Sequence, residues 1–332
     1  MNKKIKEIVD KALGGGLLTG PELKELLAVD YLSEESFYIQ YASRKMSIET
    51  TKGKGEIHGQ VGLNVGLCPK NCEFCSFAAV NKVFDKPSQC SLEEVIEGCL
   101  DFEREGANAV YLMATATYKF EDFLKVGKEV RKALKTDIPL IANVGDFDYE
   151  GAKALRESGF TGIYHAIRLG EGVITRIDPK TRMETVKNAH KVGLVIGTCL
   201  EPVGPEHTLD ELVEKTLITR DMKPGYSGAG RRITIPGSPL EKYGMRNYAD
   251  MAHVLAAVRL AMGYDVIGNC THEPNLLGPM AGATLLWAES GSNPRDTKED
   301  TTRSLSVENL REMYLESGWE VLEGPSAMYA AK

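Results

Sequence analysis

The chain has 332 residues, 42% of them hydrophobic, and a formal net charge of −7 at pH 7. This length suits one large domain or two small ones with a sizeable core. The acidic balance argues against binding of nucleic acid, and no run of 18 apolar residues predicts a membrane span. Seven cysteines without regular pairing are typical of a reduced compartment, so we expect a cytoplasmic protein whose clustered thiols bind metal or act in catalysis.

The N-terminal segment is predicted to be helical. Apolar residues recur at helical spacing between Ile5 and Leu13, and Thr19-Gly20-Pro21-Glu22 is typical of a helix start with proline in the first turn. A third helix is predicted over Ser33–Ser47. This region carries no group of residues with obvious chemistry. We therefore predict an N-terminal helical extension over residues 1–56 and a main domain over residues 57–332.

From residue 57 onward, strand-like and helix-like segments alternate. The predicted strands are Gln60–Leu67, Ala109–Ala114, Leu140–Val144, Gly162–Ile167, Val195–Leu200, Arg231–Ile235, Asp265–Asn269 and Ala283–Trp287. Glycines at 106, 159 and 193 follow three of the intervening helices, where a left-handed residue ends a helix. Eight strand–helix units in order predict an α/β fold of the (β/α)8 TIM-barrel type. An open doubly wound sheet would need a G-x-G-x-x-G turn after the first strand, and the sequence has none there.

Three cysteines, Cys68, Cys72 and Cys75, follow the first predicted strand within eight residues. A loop this short can turn three sulfurs toward one point, which an iron–sulfur cluster requires. A structural zinc site usually has four protein ligands and no open position. The sequence offers neither a second C-x-x-C nor an H-x3-H pair to complete such a site. We therefore predict a [4Fe–4S] cluster with one iron open to a small molecule, over the alternatives of zinc or three unrelated thiols.

The same run, with Phe74 before its last cysteine, resembles the C-x3-C-x-φ-C signature of the radical S-adenosylmethionine (SAM) superfamily. The resemblance implies that the open iron chelates SAM and that one electron cleaves SAM to methionine and a 5′-deoxyadenosyl radical. It also implies that Phe74 lies beside the adenine. A reductant such as flavodoxin or ferredoxin, and an anaerobic or protected setting, follow from the same resemblance.

Polar residues at the ends of the second and third predicted strands are candidates for SAM binding, because a (β/α)8 barrel carries its active site at the carboxyl ends of its strands. Thr115 and Thr117 stand where many radical SAM proteins have a Gly-Glu segment that binds the SAM amino group. Asn143 and Asp146 end the third strand, where a ribose or a substrate is expected. An ordinary strand-to-helix turn remains the alternative for both places.

Charged residues follow the fourth predicted strand. Charges at a strand end are costly unless a ligand or water pairs them. Arg168 and, at the start of the next helix, Arg182 are candidates to hold the SAM carboxylate, and Glu171 is a candidate for the ribose hydroxyls. A surface Arg–Glu pair is the alternative.

The fifth and seventh predicted strands end with Cys199 and with Cys270-Thr271-His272. These side chains are candidate catalytic residues that either bind an auxiliary metal centre or contact the substrate, and His272 is able to move protons. A buried cysteine taken alone is more often a small hydrophobe. Two other histidines are expected to be uninvolved, with His58 on the far rim of the barrel and His253 in contact with solvent.

The back half of the chain resembles biotin synthase and the [FeFe]-hydrogenase maturase HydE. The similarity lies in Val203-Gly204-Pro205-Glu206 and Gly237-Ser238-Pro239-Leu240, which resemble turn motifs that follow strands five and six of those proteins. The cysteines that biotin synthase carries after strands two and three are absent, since Thr115 and Asn143 lie there, and Cys270 with His272 occupies the region of its arginine. The resemblance therefore implies the group of biotin synthase, HydE and the methylornithine synthase PylB, and not an ordinary biotin synthase.

Together these patterns predict a radical SAM enzyme, a biotin synthase-like transferase or lyase. Its radical would abstract hydrogen from a small substrate in cofactor or amino-acid biosynthesis, by sulfur insertion, rearrangement or assembly of a metallocofactor ligand. Two alternatives stay open at this point. One is a radical methyltransferase that uses Cys199 and Cys270, and the other is a non-catalytic iron–sulfur scaffold or sensor.

Overall fold

Three helices precede the sheet in the structure, a computed structural model that describes residues 1–296 and 305–330. They are α1 (Lys3–Leu13), α2 (Gly20–Leu27) and α3 (Glu34–Thr51). The Thr19 side chain caps α2 and Glu22 completes the capping box, with Pro21 in the first turn. The predicted start of α2 is thereby confirmed.

Strands and helices alternate over the rest of the chain. In order they are β1 (Lys54–Gly62), β2 (Asn64–Val65), β3 (Ser88–Gln89), α4 (Leu92–Arg104), β4 (Ala109–Met113), α5 (Phe120–Ala133), β5 (Leu140–Asn143), α6 (Tyr149–Glu157), β6 (Gly162–Tyr164), α7 (Pro179–Lys191), β7 (Val195–Gly197), β8 (Leu200–Val203), α8 (Leu209–Asp221), β9 (Tyr226–Arg231), α9 (Tyr248–Met262), β10 (Gly268–Thr271), α10 (Leu277–Met280), β11 (Leu285–Gly291), α11 (Val307–Glu316) and β12 (Glu320–Val321).

Eight parallel strands close into a barrel. The pairing runs β1–β4–β5–β6–β7–β9–β10–β11 and returns to β1, so that Gly62 lies beside Met113 on one side and Gly291 on the other. β8 and β12 add to the outside of this circuit by pairing with β9 and β1. The predicted TIM-type α/β barrel is confirmed, and Gly106, Gly159 and Gly193 have the left-handed φ expected after their helices.

Four predicted strands are displaced along the chain. The first strand covers 54–62 instead of 60–67, and the sixth covers 226–231 instead of 231–235. The seventh covers 268–271 instead of 265–269, and the eighth covers 285–291 instead of 283–287. The sixth strand escapes prediction because Ser227, Gly228 and Gly230 have low strand propensity. Gly228 is needed there, since a Cβ at this position would lie 2.0 Å from the carbonyl oxygen of Cys270 on β10.

The N-terminal helices share one apolar core with the barrel. Helix α9 is buried from Met251 to Met262, and the core around it includes residues of α1, α2, α3 and β8. His253 of α9 is buried there and its Nδ1 lies 2.9 Å from the Ser36 hydroxyl of α3, so the expectation of a solvated His253 is wrong. The division of the chain between residues 56 and 57 stays a prediction.

The expected place of His58 is also wrong. His58 lies within β1, fully buried, and its ring bonds to Tyr111 and Glu56 inside the base of the barrel.

Within the described residues, none of the helices has the combination of length and apolar character that crossing a membrane requires.

Candidate active site

A cavity opens at the carboxyl ends of the barrel strands. Predicted site residues on its wall are Cys68, Cys72, Phe74, Cys75, Thr115, Asn143, Arg168, Arg182 and His272. The other four, Thr117, Glu171, Cys199 and Cys270, lie behind this wall or on its rim. The closure of the barrel thus brings most of the predicted site residues to one space, as strand ends in this fold do.

The three clustered cysteines lie in a loop folded back on itself. The amide of Cys68 donates to the carbonyl of Phe77 (2.8 Å), and the amide of Cys75 donates to the carbonyl of Cys72 (2.9 Å). The side-chain amide of Asn81 donates to the carbonyls of Cys75 (2.8 Å) and Glu73 (3.0 Å). These bonds fix the backbone of the loop, and its three cysteines line the cavity.

The buried thiols of the loop are suited to binding a soft metal as thiolates. Burial raises the pKa of Cys72 to about 11 and the pKa of Cys75 to about 12, so both are protonated at neutral pH without a metal. A bound metal displaces these protons, because the thiolate is the ligand. Three thiols on one short loop form the donor set that iron–sulfur clusters use.

Thr115 and Asn143 lie on the cavity wall beside this loop. Asn64 holds Thr115 by two bonds, to its amide (3.0 Å) and its hydroxyl (2.8 Å), and Asn143 donates to Gln60 (3.0 Å). Thr117 is exposed, and its hydroxyl lies 2.8 Å from that of Thr115. Thr117 therefore supports Thr115 and does not itself line the cavity.

Asp146, His165 and Arg182 form a largely buried group on the next part of the wall. His165 Nε2 lies 3.1 Å from Asp146 and 3.3 Å from the Arg182 guanidinium. Burial, with the charge of Arg182, lowers the pKa of His165 to about 4. Burial alone would raise the pKa of Asp146, but the bond with His165 and the charge of Arg182 lower it to about 2. The group is thus a neutral imidazole between a carboxylate and a guanidinium.

Arg168 belongs to a second charged group centred on Glu201. The Glu201 carboxylate lies 3.2 Å from Arg168 and 3.3 Å from Arg295, and it is buried. Burial alone would raise the pKa of Glu201, but His272, Arg168 and Arg295 lower it to about 2. Burial likewise opposes ionisation of Arg168, but the charge of Glu201 outweighs it and raises the pKa of Arg168. The cavity therefore has a wall of fixed charges of both signs.

Glu171 is buried behind the wall. Its carboxylate accepts bonds from the amide of Arg168 (3.0 Å) and the hydroxyl of Thr175 (3.0 Å), and lies 3.8 Å from Arg182. This placement gives Glu171 the role of orienting the two arginines, while its predicted contact with ribose hydroxyls stays a prediction.

Cys199, Cys270 and His272 meet below the cavity. The two sulfurs are 3.7 Å apart, and one ligand atom of each of the three side chains lies within 4.8 Å of the others. His272 Nε2 is 3.0 Å from the Tyr164 hydroxyl and 3.5 Å from Glu201, so His272 connects the thiol pair to the cavity wall. The structure therefore brings these three residues together, and their catalytic role stays a prediction.

Sequence reasoning missed several residues of the site. His165 and Glu201 are polar residues at the carboxyl ends of predicted strands and line the cavity. Asn143 and Arg168 were selected by that same position, so it would also have identified His165 and Glu201. Arg295 and Glu289 had no such signal, because the eighth strand extends to residue 291 and not 287. Their place on the wall follows from the closure of the barrel.

Comparison with known proteins finds a family match over the part of the chain that contains the cysteine loop. Residues 65–217 match the model of the Radical SAM superfamily. The biotin synthase of Clostridioides difficile (strain 630) is 22% identical over 340 residues, covering 97% of this chain and all of that protein. The crystal structure of methylornithine synthase (PylB) has a TM-score of 0.79 at 16% identity and covers 97% of this chain and 98% of that one. HydG from Carboxydothermus hydrogenoformans, an FeFe-hydrogenase maturase, has a TM-score of 0.76 at 18% identity, covering 98% and 81%.

Proposed function

Because this chain carries a Radical SAM domain and has biotin synthases among its homologues, we propose that it cleaves SAM reductively at a [4Fe–4S] cluster held by Cys68, Cys72 and Cys75. The proposal depends chiefly on one observation. The three thiols lie on the wall of the same cavity that presents the fixed charges of Arg168, Glu201 and Arg182.

When bound, the cluster and SAM supply a 5′-deoxyadenosyl radical that abstracts hydrogen from an unactivated carbon. The residues of the chain bind and orient the reactants. Arg182 is the better candidate for the SAM carboxylate, because its contacts to Asp146 (3.7 Å) and Glu171 (3.8 Å) are long and leave donors for a ligand. Arg168 is already held by Glu201 at 3.2 Å, and its guanidinium lies 6.0 Å from the ring of Phe74, where adenine is expected.

The barrel also limits access of water to the cavity from below. Tyr164 and Trp287 line the cavity floor, and both are buried. Beneath them, Tyr111 packs edge-on against Trp287 with ring centroids 4.6 Å apart. A dry floor protects a reactive radical from side reactions, so this aromatic layer suits the proposed chemistry.

The part of the cavity wall formed by Arg295 and Glu201 suits a small polar substrate. Arg295 lies 3.3 Å from both Glu201 and Glu273, which leaves charges of both signs on this wall. The names of two similar proteins, biotin synthase and methylornithine synthase, favour a reaction in cofactor or amino-acid biosynthesis. We propose a transferase or lyase of this kind, located in the cytoplasm and supplied with electrons by a flavodoxin or ferredoxin.

The test is anaerobic reconstitution with iron, sulfide, reductant and SAM, followed by measurement of 5′-deoxyadenosine. We expect product from the wild type and none from the Cys68→Ala/Cys72→Ala/Cys75→Ala variant, with loss of the cluster iron. Cys90→Ala serves as the matched control, because Cys90 lies outside the cavity and should leave both iron and product unchanged. A fully loaded cluster that never cleaves SAM would instead support an iron–sulfur scaffold or sensor.

A further inference from the structure

The thiol pair below the cavity has the geometry of a metal site. With metal–sulfur bonds of about 2.3 Å, two sulfurs 3.7 Å apart subtend an angle of about 107°, close to the tetrahedral value. A disulfide needs the sulfurs at about 2.0 Å, so the observed separation fits two ligands of one ion better than a bond between them. His272 supplies a third donor within 4.8 Å.

The chemistry of these donors selects a soft divalent ion. Two thiolates and an imidazole are ligands that zinc prefers over hard cations. Cys199 and Cys270 are almost completely buried, and two uncompensated thiolates at this distance would repel each other. A divalent cation balances both charges, so the site with its ion adds no net charge to the barrel interior.

The fold makes room for this group through two glycines of β9. A Cβ at Gly228 would lie 2.0 Å from the Cys270 carbonyl oxygen, and one at Gly230 would lie 3.0 Å from the His272 ring. Because neither has a side chain, β9 and β10 approach closely and His272 reaches over the thiols. Cys199 enters from the connection between β7 and β8.

We propose that Cys199, Cys270 and His272 bind one Zn²⁺ ion below the cavity, separate from the iron–sulfur loop. Three protein ligands leave a fourth position for water or for a donor atom of the substrate, as in catalytic zinc sites. His272 lies on the cavity wall, so this position is reached from the substrate side. The ligand class that it takes is a small molecule with a thiol or amine group.

Trp287 provides a second observation at this place. Its indole ring stacks on His272 with centroids 5.7 Å apart and 19° between the planes. Trp287 is 3% exposed, and its indole N–H has no hydrogen-bond partner in the part of the chain that the structure describes. Buried indole N–H groups usually have a partner, and a ligand of the ion would supply one.

The test measures zinc in the full-length protein, with iron counted separately. We expect one Zn²⁺ per chain after anaerobic purification, and a Co²⁺-substituted protein whose visible spectrum shows tetrahedral thiolate coordination. Cys199→Ser and Cys270→Ser should each weaken Zn²⁺ binding by about 100-fold or more, because each removes a thiolate ligand. Cys90→Ser is the matched control and should keep the zinc.

Three results would overturn this site. They are absence of zinc with no Co²⁺ spectrum in the folded wild type, iron and sulfide bound at these cysteines, and a Cys199–Cys270 disulfide found by mass after anaerobic thiol trapping. The Co²⁺ spectrum of the wild type keeps the test decisive if a serine variant fails to fold. Measuring 5′-deoxyadenosine in the same samples separates the two proposals, since zinc binding does not require SAM cleavage.

Discussion

The two ends of the barrel both bury charged and polar side chains, but they satisfy them in different ways. At the base, Glu56 accepts bonds from His58 (2.8 Å), the amide of Ala327 (2.9 Å) and the hydroxyl of Ser326. Tyr111 in turn bonds to His58, and neither side chain lines the cavity at the other end. The bonds at the base are made within the protein, which is typical of a structural network.

At the carboxyl end, the charges are held just as firmly but face a cavity. Glu201 lies between Arg168 and Arg295 on one part of the wall. His165 lies between a carboxylate and the Arg182 guanidinium on another part. The cavity is lined by Glu201, Arg168, Arg295, His165 and Arg182, so these side chains are available to a ligand as well as to one another.

The comparison teaches that burial of charge does not by itself mark an active site. Both ends carry a buried histidine next to a carboxylate, His58 at the base and His165 at the carboxyl end, yet only His165 lines the cavity. Burial together with a cavity is the combination that points to ligand binding. Substitutions matched between the two ends therefore test the assignment.

The largest expected difference is between Glu201→Gln and Glu56→Gln. Loss of Glu201 leaves Arg168 and Arg295 without their shared counter-charge, so we expect a loss of about 3 kcal/mol in unfolding free energy and an activity about 100-fold lower. Glu56→Gln should cost about 1–3 kcal/mol in stability but leave the activity of the folded protein unchanged.

Denaturant titration and the 5′-deoxyadenosine assay on the same samples check both variants. Equal losses of activity in the two folded variants would contradict the assignment of function to the carboxyl end alone.

A second test uses the pH dependence of stability. Burial and the charge of Arg182 lower the pKa of His165 to about 4, whereas an unfolded histidine titrates near 6.5. Between these values the unfolded chain binds a proton that the folded chain does not, so unfolding free energy should fall by up to about 3 kcal/mol as pH drops from 6.5 to 4.

His165→Gln should reduce this slope and leave the part due to His207 and His253, whose pKa values burial also lowers. Denaturant titrations of the apoprotein at several pH values measure it. The matched control is His190→Gln, because His190 is exposed on α7 and should leave the slope in place. An unchanged slope in His165→Gln would contradict a neutral His165 in the folded protein.

The smallest expected effect compares two buried tyrosines. Tyr329→Phe removes a hydroxyl 3.0 Å from that of Tyr111 at the base, and Tyr164→Phe removes one 3.0 Å from His272 Nε2 below the cavity. Each should cost about 1 kcal/mol in stability, the usual net value of such a bond. Activity should fall only in Tyr164→Phe, and thermal unfolding with steady-state assays distinguishes the two.

The class of the fold and the cluster loop could be predicted from the sequence, because both are encoded by residues close together in the chain. Alternating strand and helix periods predict a parallel barrel, and Cys68, Cys72 and Cys75 lie within eight residues of one another. The helix start at Thr19 and the left-handed Gly106 also follow from short-range chemistry.

Contacts between residues far apart in the chain could not be predicted from the sequence and are seen only in the folded barrel. Cys199 and Cys270 are 71 positions apart, and their sulfurs lie 3.7 Å apart. The β9 glycine Gly228 allows the close approach of the Cys270 backbone, because a Cβ there would lie 2.0 Å from the Cys270 carbonyl oxygen. Arg295 reaches Glu201 across 94 positions through closure of the barrel. Local patterns carry the period and the turns of a chain, whereas these contacts depend on strand register and backbone distance, which are set only when the sheet closes on itself.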